Sequence, residues 1–131
     1  GIKCWGSCDQ GLCGYGDSQK RGTSAAHMGD ALPFVELGTT DVPQAFAEGH
    51  SSYHACAVLS GGSAKCWGTN TNGQLGYGDG NARGDSPNEM GDNLPVINLG
   101  STAQVQSLFV GSRSTFAVLS GGELKCWGQA M

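Results

Sequence analysis

Positive charge is scarce in this sequence, and charge of either sign is below average. Only 14% of the 131 residues are charged, and 7 Lys and Arg stand against 11 Asp and Glu. Binding to DNA or RNA needs clustered basic side chains that displace counterions. Docking on an anionic membrane surface needs similar clusters. The composition therefore argues against nucleic-acid partners and against electrostatic membrane binding.

Proline and long apolar runs are also scarce. The sequence has 4 Pro, and no window approaches the roughly 18 apolar residues of a membrane-spanning helix. No segment sustains the 3.6-residue period of an amphipathic helix, so we expect little helix. Glycine is plentiful, at 23 residues. A chain rich in glycine and poor in charge predicts many short strands joined by tight turns.

The dominant feature is an internal duplication. The motif Lys-Cys-Trp-Gly occurs at 3–6, 65–68 and 125–128. At an offset of 62, residues 3–49 match residues 65–111 at 22 of 47 positions. Each copy alternates short apolar runs with turn signals, which predicts one four-stranded antiparallel sheet per copy. The predicted strands are 34–37, 44–47, 53–59 and 64–67 in the first copy, and 96–99, 105–110, 115–119 and 124–127 in the second.

A hairpin in the first copy fixes the position of two of the 6 cysteines. If residues 60–62 form a three-residue loop, Leu59 pairs with Ser63 and Cys56 lies opposite Cys66. This is a non-hydrogen-bonded position, where Cα atoms lie about 4.5 Å apart, within disulfide range. A two-residue turn would put the two cysteines on opposite faces. We therefore predict a disulfide between them.

The other four cysteines divide into a local pair and two single residues. Cys8 and Cys13 lie in one Gly-rich loop, at positions where the second copy has no cysteine, and we predict a local disulfide. Cys4 and Cys126 are expected to be free thiols, or Cys4 to pair outside this chain. The alternative is that all six are reduced core residues. A high cysteine content favours an oxidising compartment, so we expect an extracytoplasmic location: secreted, periplasmic or an organelle lumen.

Several motifs resemble repeats of the regulator of chromosome condensation family. They are Cys-Trp-Gly at 66–68, the Gly-rich run at 73–78, the segment from Gly49 to Leu59, and the Gly-Gly turn at 61–62. The cysteine-bearing form is similar to repeats of extracytoplasmic proteins in bacteria and unicellular algae. The resemblance implies an all-β fold, a partial β-propeller of two four-stranded antiparallel blades plus one extra strand.

The expected organisation is a single propeller fragment over residues 1–131. Residues 1–6 form the closing strand of a preceding blade, residues 7–68 the first repeat and residues 69–128 the second. Two blades cannot close a ring, and an uncovered strand edge invites aggregation. We therefore expect a protein partner or a larger assembly to cover the open blade edges.

One Trp and one Tyr per repeat are expected to form the structural core of the repeat. A plant ultraviolet-B photoreceptor of this fold uses clustered Trp as its chromophore, but one Trp at a fixed position of each blade favours packing. The predicted structural residues are Trp5, Trp67, Trp127, Tyr15 and Tyr77.

No metal, cofactor or catalytic site is expected. Asp79 opens a loop like that of an EF-hand, but Arg83 at position five and Met90 at position twelve are not ligands. Loop carboxylates leave weak calcium binding as an alternative. A zinc site in 50–66 lacks a Cys-x-x-Cys pair, and Cys56 has a better partner across the hairpin.

The predicted function is that of a non-enzymatic structural or protein-interaction module. We expect an extracytoplasmic accessory subunit or fragment docked on a larger assembly, of which an algal thylakoid-lumen photosynthetic complex is one example. One alternative is a nuclear-type guanine-nucleotide exchange factor for a small GTPase. The other is an enzyme, which would need a pocket of convergent titratable groups.

Overall fold

The computed structural model describes residues 1–129 and contains six strands and four three-residue 3-10 helices. None of these helices is long and apolar enough to cross a membrane. The 3-10 helices are Asp9–Gly11, Ala25–His27, Gly29–Ala31 and Gly91–Asn93. The strands are β1 (Pro43–Glu48), β2 (His54–Leu59), β3 (Ala64–Gly68), β4 (Val105–Val110), β5 (Ser114–Leu119) and β6 (Leu124–Gly128).

The strands form two antiparallel sheets, in the orders β1-β2-β3 and β4-β5-β6. The all-β class and these six strands are confirmed. The prediction of four strands per sheet is wrong, because 34–37 and 96–99 are not strands in the structure. Ile97 donates one backbone hydrogen bond of 2.8 Å to Ala64 in β3. Segment 96–99 therefore lies beside the first sheet, held by buried Ile97 instead of by a hydrogen-bonded ladder.

Residues 1–6 do not form the expected extra strand. The segment is extended, and its one ladder contact is an isolated bridge between Gly6 and Arg21. Its sequence equivalent, β3, is a strand because β2 pairs along its length. Within residues 1–129, no segment pairs with residues 1–6 in that way.

The hairpin between β2 and β3 has the predicted register. The Leu59 N–H donates to the Ser63 carbonyl at 2.9 Å, and Cys56 pairs with Cys66. Gly62 has φ of +85°, a left-handed conformation that costs glycine little. The three-residue loop is therefore what places the two cysteines side by side.

The apolar core consists of two layers on either side of the first sheet. One layer lies between the two sheets and includes Leu75, Leu108 and Ala117. The other lies between the first sheet and the N-terminal segment and includes Val35 and Trp67. Strands β2 and β3 are thus buried on both faces, whereas β1 is mostly exposed and β5 of the second sheet alternates between buried and half-buried residues.

We expect the apolar layer between the two sheets to contribute a large share of the free energy of unfolding. Leu75 is fully buried there, so Leu75→Ala should lower the free energy of unfolding by about 2–5 kcal/mol. The matched control is Val96→Ala, at a residue that is 51% exposed, which should change it by less than about 0.5 kcal/mol. Urea unfolding followed by tryptophan fluorescence measures both. Equal effects of the two substitutions would contradict this account of the core.

Candidate functional site

The candidate site is the set of contacts by which one repeat holds the Lys-Cys-Trp-Gly strand of the repeat before it. The Tyr77 hydroxyl accepts a hydrogen bond from the Cys66 N–H at 3.0 Å and donates one to the Cys66 carbonyl at 2.9 Å. Tyr15 bonds the backbone of Cys4 in the same way, at 2.7 and 2.9 Å. Burial raises the pKa of Tyr77 to about 12, so its hydroxyl keeps its proton.

The tryptophans close each repeat on itself. The indole N–H of Trp67 donates to the Leu12 carbonyl at 2.9 Å, and that of Trp127 donates to the Gln74 carbonyl at 2.9 Å. Trp67 is buried and Trp127 half-buried, whereas Trp5 is 60% exposed. The predicted structural residues therefore lie at equivalent positions, with unequal burial that follows the number of neighbouring repeats.

The lysine of the motif links two consecutive repeats, and the sequence analysis missed this role. The Lys65 ammonium donates to the Leu37 carbonyl at 2.8 Å and to the Gly91 carbonyl at 3.0 Å. Burial lowers the pKa of Lys65. Lys125 bonds only the Leu99 carbonyl, at 2.7 Å, among the residues described. The recurrence of Lys in all three motifs is the signal that could have identified it.

An ion pair over the aromatic ring accompanies both Tyr15 and Tyr77. Arg83 bonds Asp79 at 2.8 Å and lies 5.0 Å from the centre of the Tyr77 ring. Arg21 and Asp17 make the same arrangement in the first repeat. The hydrogen bond from Arg83 lowers the pKa of Asp79. The carboxylate that opens the EF-hand-like loop is therefore already bound to an arginine.

A buried hydrogen-bond chain connects the two sheets. Thr115 donates from its hydroxyl to the Gln74 carbonyl at 2.7 Å and lies 2.9 Å from His54 Nε2. Because the Thr115 proton is already used, His54 must donate from Nε2. Its Nδ1 has no hydrogen-bond partner among the described residues. Burial lowers the pKa of His54 to about 4, so the imidazole is neutral at pH 7.

The structure contains two disulfides, between the pairs predicted from the sequence. Cys8 is bonded to Cys13, with Cα atoms 4.9 Å apart. Cys56 is bonded to Cys66, with Cα atoms 4.1 Å apart. The pairing state of these residues in the protein's own compartment stays a prediction.

The remaining two cysteines are free thiols in the structure. Burial raises the pKa of the Cys4 thiol, which makes it less reactive. Cys126 is exposed and pairs across the second sheet with Phe116, the residue at the position of Cys56.

The far side of the second sheet is an open apolar face. Phe109 and Leu124 are 56% and 63% exposed, and Phe109 lies opposite Phe116. On the equivalent face of the first sheet, Cys56 and Cys66 are fully buried against the second sheet. We call the far side, formed by Phe109, Phe116, Val118, Leu124 and Cys126, the open face.

A polar cleft lies at one rim of the two sheets. Its volume is about 780 Å³, and Gln10, Tyr53, Asn72, Arg113 and Gln129 are among the residues that line it. These are amide, hydroxyl and guanidinium groups, which suit hydrogen bonding more than proton transfer. Within residues 1–129, no cluster of three or more His, Cys, Asp or Glu could hold a metal ion.

Comparisons with known proteins agree with the resemblance seen in the sequence. Residues 51–74 match the family model of the regulator of chromosome condensation (RCC1) repeat. No curated protein matches the chain significantly in sequence. The match covers the β2–β3 hairpin and the loop that follows it, which are therefore similar to a repeat of this family.

Solved structures share the fold. Human WBSCR16 matches with a TM-score of 0.65 and 16% identity, over 96% of this chain and 27% of that one. Yeast RCC1 (Prp20), in its complex with Kap60, matches with a TM-score of 0.58 and 19% identity, over 96% and 27%. Prp20p of Saccharomyces cerevisiae matches with 0.58 and 20%, over 95% and 28%. The chain spans just over a quarter of these propeller proteins and has the fold of a part of them.

The buried histidine makes the stability depend on pH. The pKa of His54 is about 4 when folded and 6.5 in its ordinary state, so the unfolded chain takes up a proton first as the pH falls. The stabilisation is fully present above pH 6.5 and is lost progressively down to about pH 4, by roughly 3 kcal/mol at most. Urea unfolding at several pH values measures this loss. His54→Gln should remove it, and an equal pH dependence in that variant would contradict the assignment.

Proposed function

We propose that this chain, which contains a segment similar to a repeat of the regulator of chromosome condensation family, is a non-enzymatic structural or protein-interaction module. It is an extracytoplasmic accessory subunit or fragment that docks on a larger protein assembly. The observation that carries the proposal is the open face of the second sheet. On the same face of the first sheet Cys56 and Cys66 are buried by the neighbouring sheet, so equivalent residues of the two sheets differ in burial.

The composition of the open face supports a protein partner. Its core is apolar and aromatic, with Phe109, Phe116 and Leu124 close together across two pairs of strands. Aromatic residues are enriched and charged residues depleted at the centres of protein interfaces. Contiguous exposed apolar patches mark interaction sites or aggregation-prone surfaces. A protein that docks here gives the second sheet the burial that the first sheet already has.

The chemistry of the described residues supports a role without catalysis. His54 has a strongly shifted pKa, but it lies buried between the sheets and bonds Thr115. Within the described chain, the polar cleft is lined mainly by amides and hydroxyls; its one carboxylate, Asp9, accepts a hydrogen bond from Ser7, and no histidine lines it. The exchange-factor alternative depends on surface loops of other family members, and no residue of this chain favours it.

The two disulfides support an oxidising compartment. Disulfides persist in secreted proteins, in the periplasm and in oxidising organelle lumens, and they are rare in reducing compartments. The cysteine-bearing repeat type makes an algal thylakoid-lumen photosynthetic complex one concrete version of the assembly.

A photo-crosslinking experiment tests docking through the open face. A benzophenone amino acid at position 109, installed in the protein in its own cells, should form a discrete adduct with a protein of the assembly. The same probe at position 96, which is also exposed but lies on the segment beside β3 and outside the open face, should not. Equal labelling at both positions, or a chain that fractionates alone without adducts, would refute docking through this face.

Peptide mapping without reduction tests the compartment. In protein isolated with free thiols blocked, we expect one peptide pair joined by Cys56 and Cys66 and one loop closed by Cys8 and Cys13. Cys126 should carry the blocking group and serves as the internal control. Blocked Cys56 and Cys66 would remove the main support for an extracytoplasmic location and leave the interaction-module proposal standing.

A further inference from the structure

We infer that the open end of β6 binds a second copy of this chain, in the place where residues 1–6 of that copy lie. The inference rests on the proposed function and names a partner for the open side of the second sheet. One copy supplies β6 and the other supplies the surface that its own residues 1–6 occupy, so the contact runs head to tail.

The two segments that exchange have nearly the same sequence. Residues 3–6 and 125–128 are both Lys-Cys-Trp-Gly, and Ile2 and Leu124 directly precede the motif. An apolar residue followed by four identical residues makes β6 a close copy of the segment that it replaces.

Residues 1–6 are held mainly through their backbone. Tyr15 bonds the N–H and carbonyl of residue 4 at 2.7 and 2.9 Å. The backbone of Arg21 exchanges two bonds with residue 6, at 2.8 and 3.2 Å, and Val35 donates to residue 2 at 2.7 Å. Because these bonds do not depend on side chains of residues 1–6, another strand of this sequence can make all of them.

The equivalent residues of the second repeat, Tyr77, Arg83 and Ile97, bond strand β3 in the same way. Tyr77 bonds residue 66, the backbone of Arg83 exchanges two bonds with residue 68, and Ile97 donates to residue 64. Residues 64, 66 and 68 belong to β3, which is paired with β2 on its other side. The binding surface of residues 7–37 therefore has a close relative in this molecule that binds the edge of a sheet.

The outer edge of β6 presents the matching groups. Leu119 donates to the Glu123 carbonyl, and Phe116 lies opposite Cys126. Counted from the hydrogen-bonded pair of Leu119 and Glu123, the backbone N–H and C=O groups of residues 124, 126 and 128 point away from β5. These are the equivalents of residues 64, 66 and 68. Among the described residues they have no hydrogen-bond partner on that side.

Side-chain sizes are complementary between the two sheets of one copy and also at the proposed contact between copies. Between the two sheets, Leu75 and the small Cys56 belong to one buried cluster. Across the proposed contact the equivalent positions are held by Cys13 in one copy and Phe116 in the other. A large residue is thus matched with a smaller one in both places, and the smaller one is a disulfide-bonded cysteine each time.

Replacement of residues 1–6 by β6 of another copy should be favoured over the reverse. Residues 1–6 have no strand beside them within the described chain, whereas β6 brings its own sheet when it binds. The contact places the open face of one copy against the first repeat of the next and buries both. A head-to-tail contact is heterologous, so it forms chains or rings of copies and not a closed symmetric dimer.

Substitution to Asp at the equivalent residues Ile2 and Leu124 tests the inference, because the two variants should change self-association in opposite directions. Leu124→Asp puts a charge on the edge of β6 and should weaken self-association of the purified chain by at least about tenfold in dissociation constant. Ile2→Asp loosens residues 1–6 from their place and should strengthen it by a similar factor. Val96→Asp, at an exposed residue away from both ends, is the control. Sedimentation velocity over a range of concentrations measures association, and circular dichroism checks that each variant is folded.

The double variant Ile2→Asp with Leu124→Asp should behave like Leu124→Asp alone, because β6 is then unable to bind. The inference is overturned if neither the unsubstituted chain nor Ile2→Asp associates. It is also overturned if Leu124→Asp and Val96→Asp have equal effects, or if Ile2→Asp weakens association. In each of these cases an adduct from position 109 to a different protein would still support the proposed function, so the two proposals fail separately.

Discussion

The Lys-Cys-Trp-Gly strand at 65–68 is bonded from two sides, and the packing of the two repeats depends on this. On one side its own sheet supplies the backbone ladder, as β2 does for β3. On the other side the loop of the following repeat supplies a tyrosine hydroxyl and the backbone of an arginine, here Tyr77 and Arg83. A sheet edge that would otherwise be exposed is thereby satisfied by a loop, without a further strand. The order of the repeats in space follows directly from their order in the chain.

Much of the fold could be predicted because the internal duplication and the positions of the cysteines constrain it independently. The register of the β2–β3 hairpin follows from a turn rule and from the need to bring Cys56 beside Cys66. The apolar residues of 96–99 predicted a strand of the second sheet, whereas in the structure Ile97 is buried, Val96 is 51% exposed and the segment forms no strand. In the structure one backbone bond places it beside β3. An apolar pattern can indicate that a segment packs on the core, whereas strand pairing depends on neighbours that are distant in sequence.

The contacts between repeats were harder to predict for a related reason. A single His54 in an apolar strand has many possible partners, and only the fold brings Thr115 to within 2.9 Å of it. Lys65 is similar, since its two carbonyl acceptors lie 26 and 28 residues away in sequence. Recurrence of a residue in each repeat indicates that its role is architectural. It does not indicate the atom that the side chain bonds.

A stack in which each unit contacts only its neighbours has its weakest points at its ends. Strands β2 and β3 are covered on both faces, and their cystine and alanines fit that close approach. At one end, residues 1–6 are held by bonds from one side only. At the other, β6 is fully paired with β5 yet leaves its outer edge and the large side chains of Phe109 and Leu124 exposed. The segment held from one side and the strand with an open edge carry the same motif, so the motif that joins the two repeats also defines what can bind at either place.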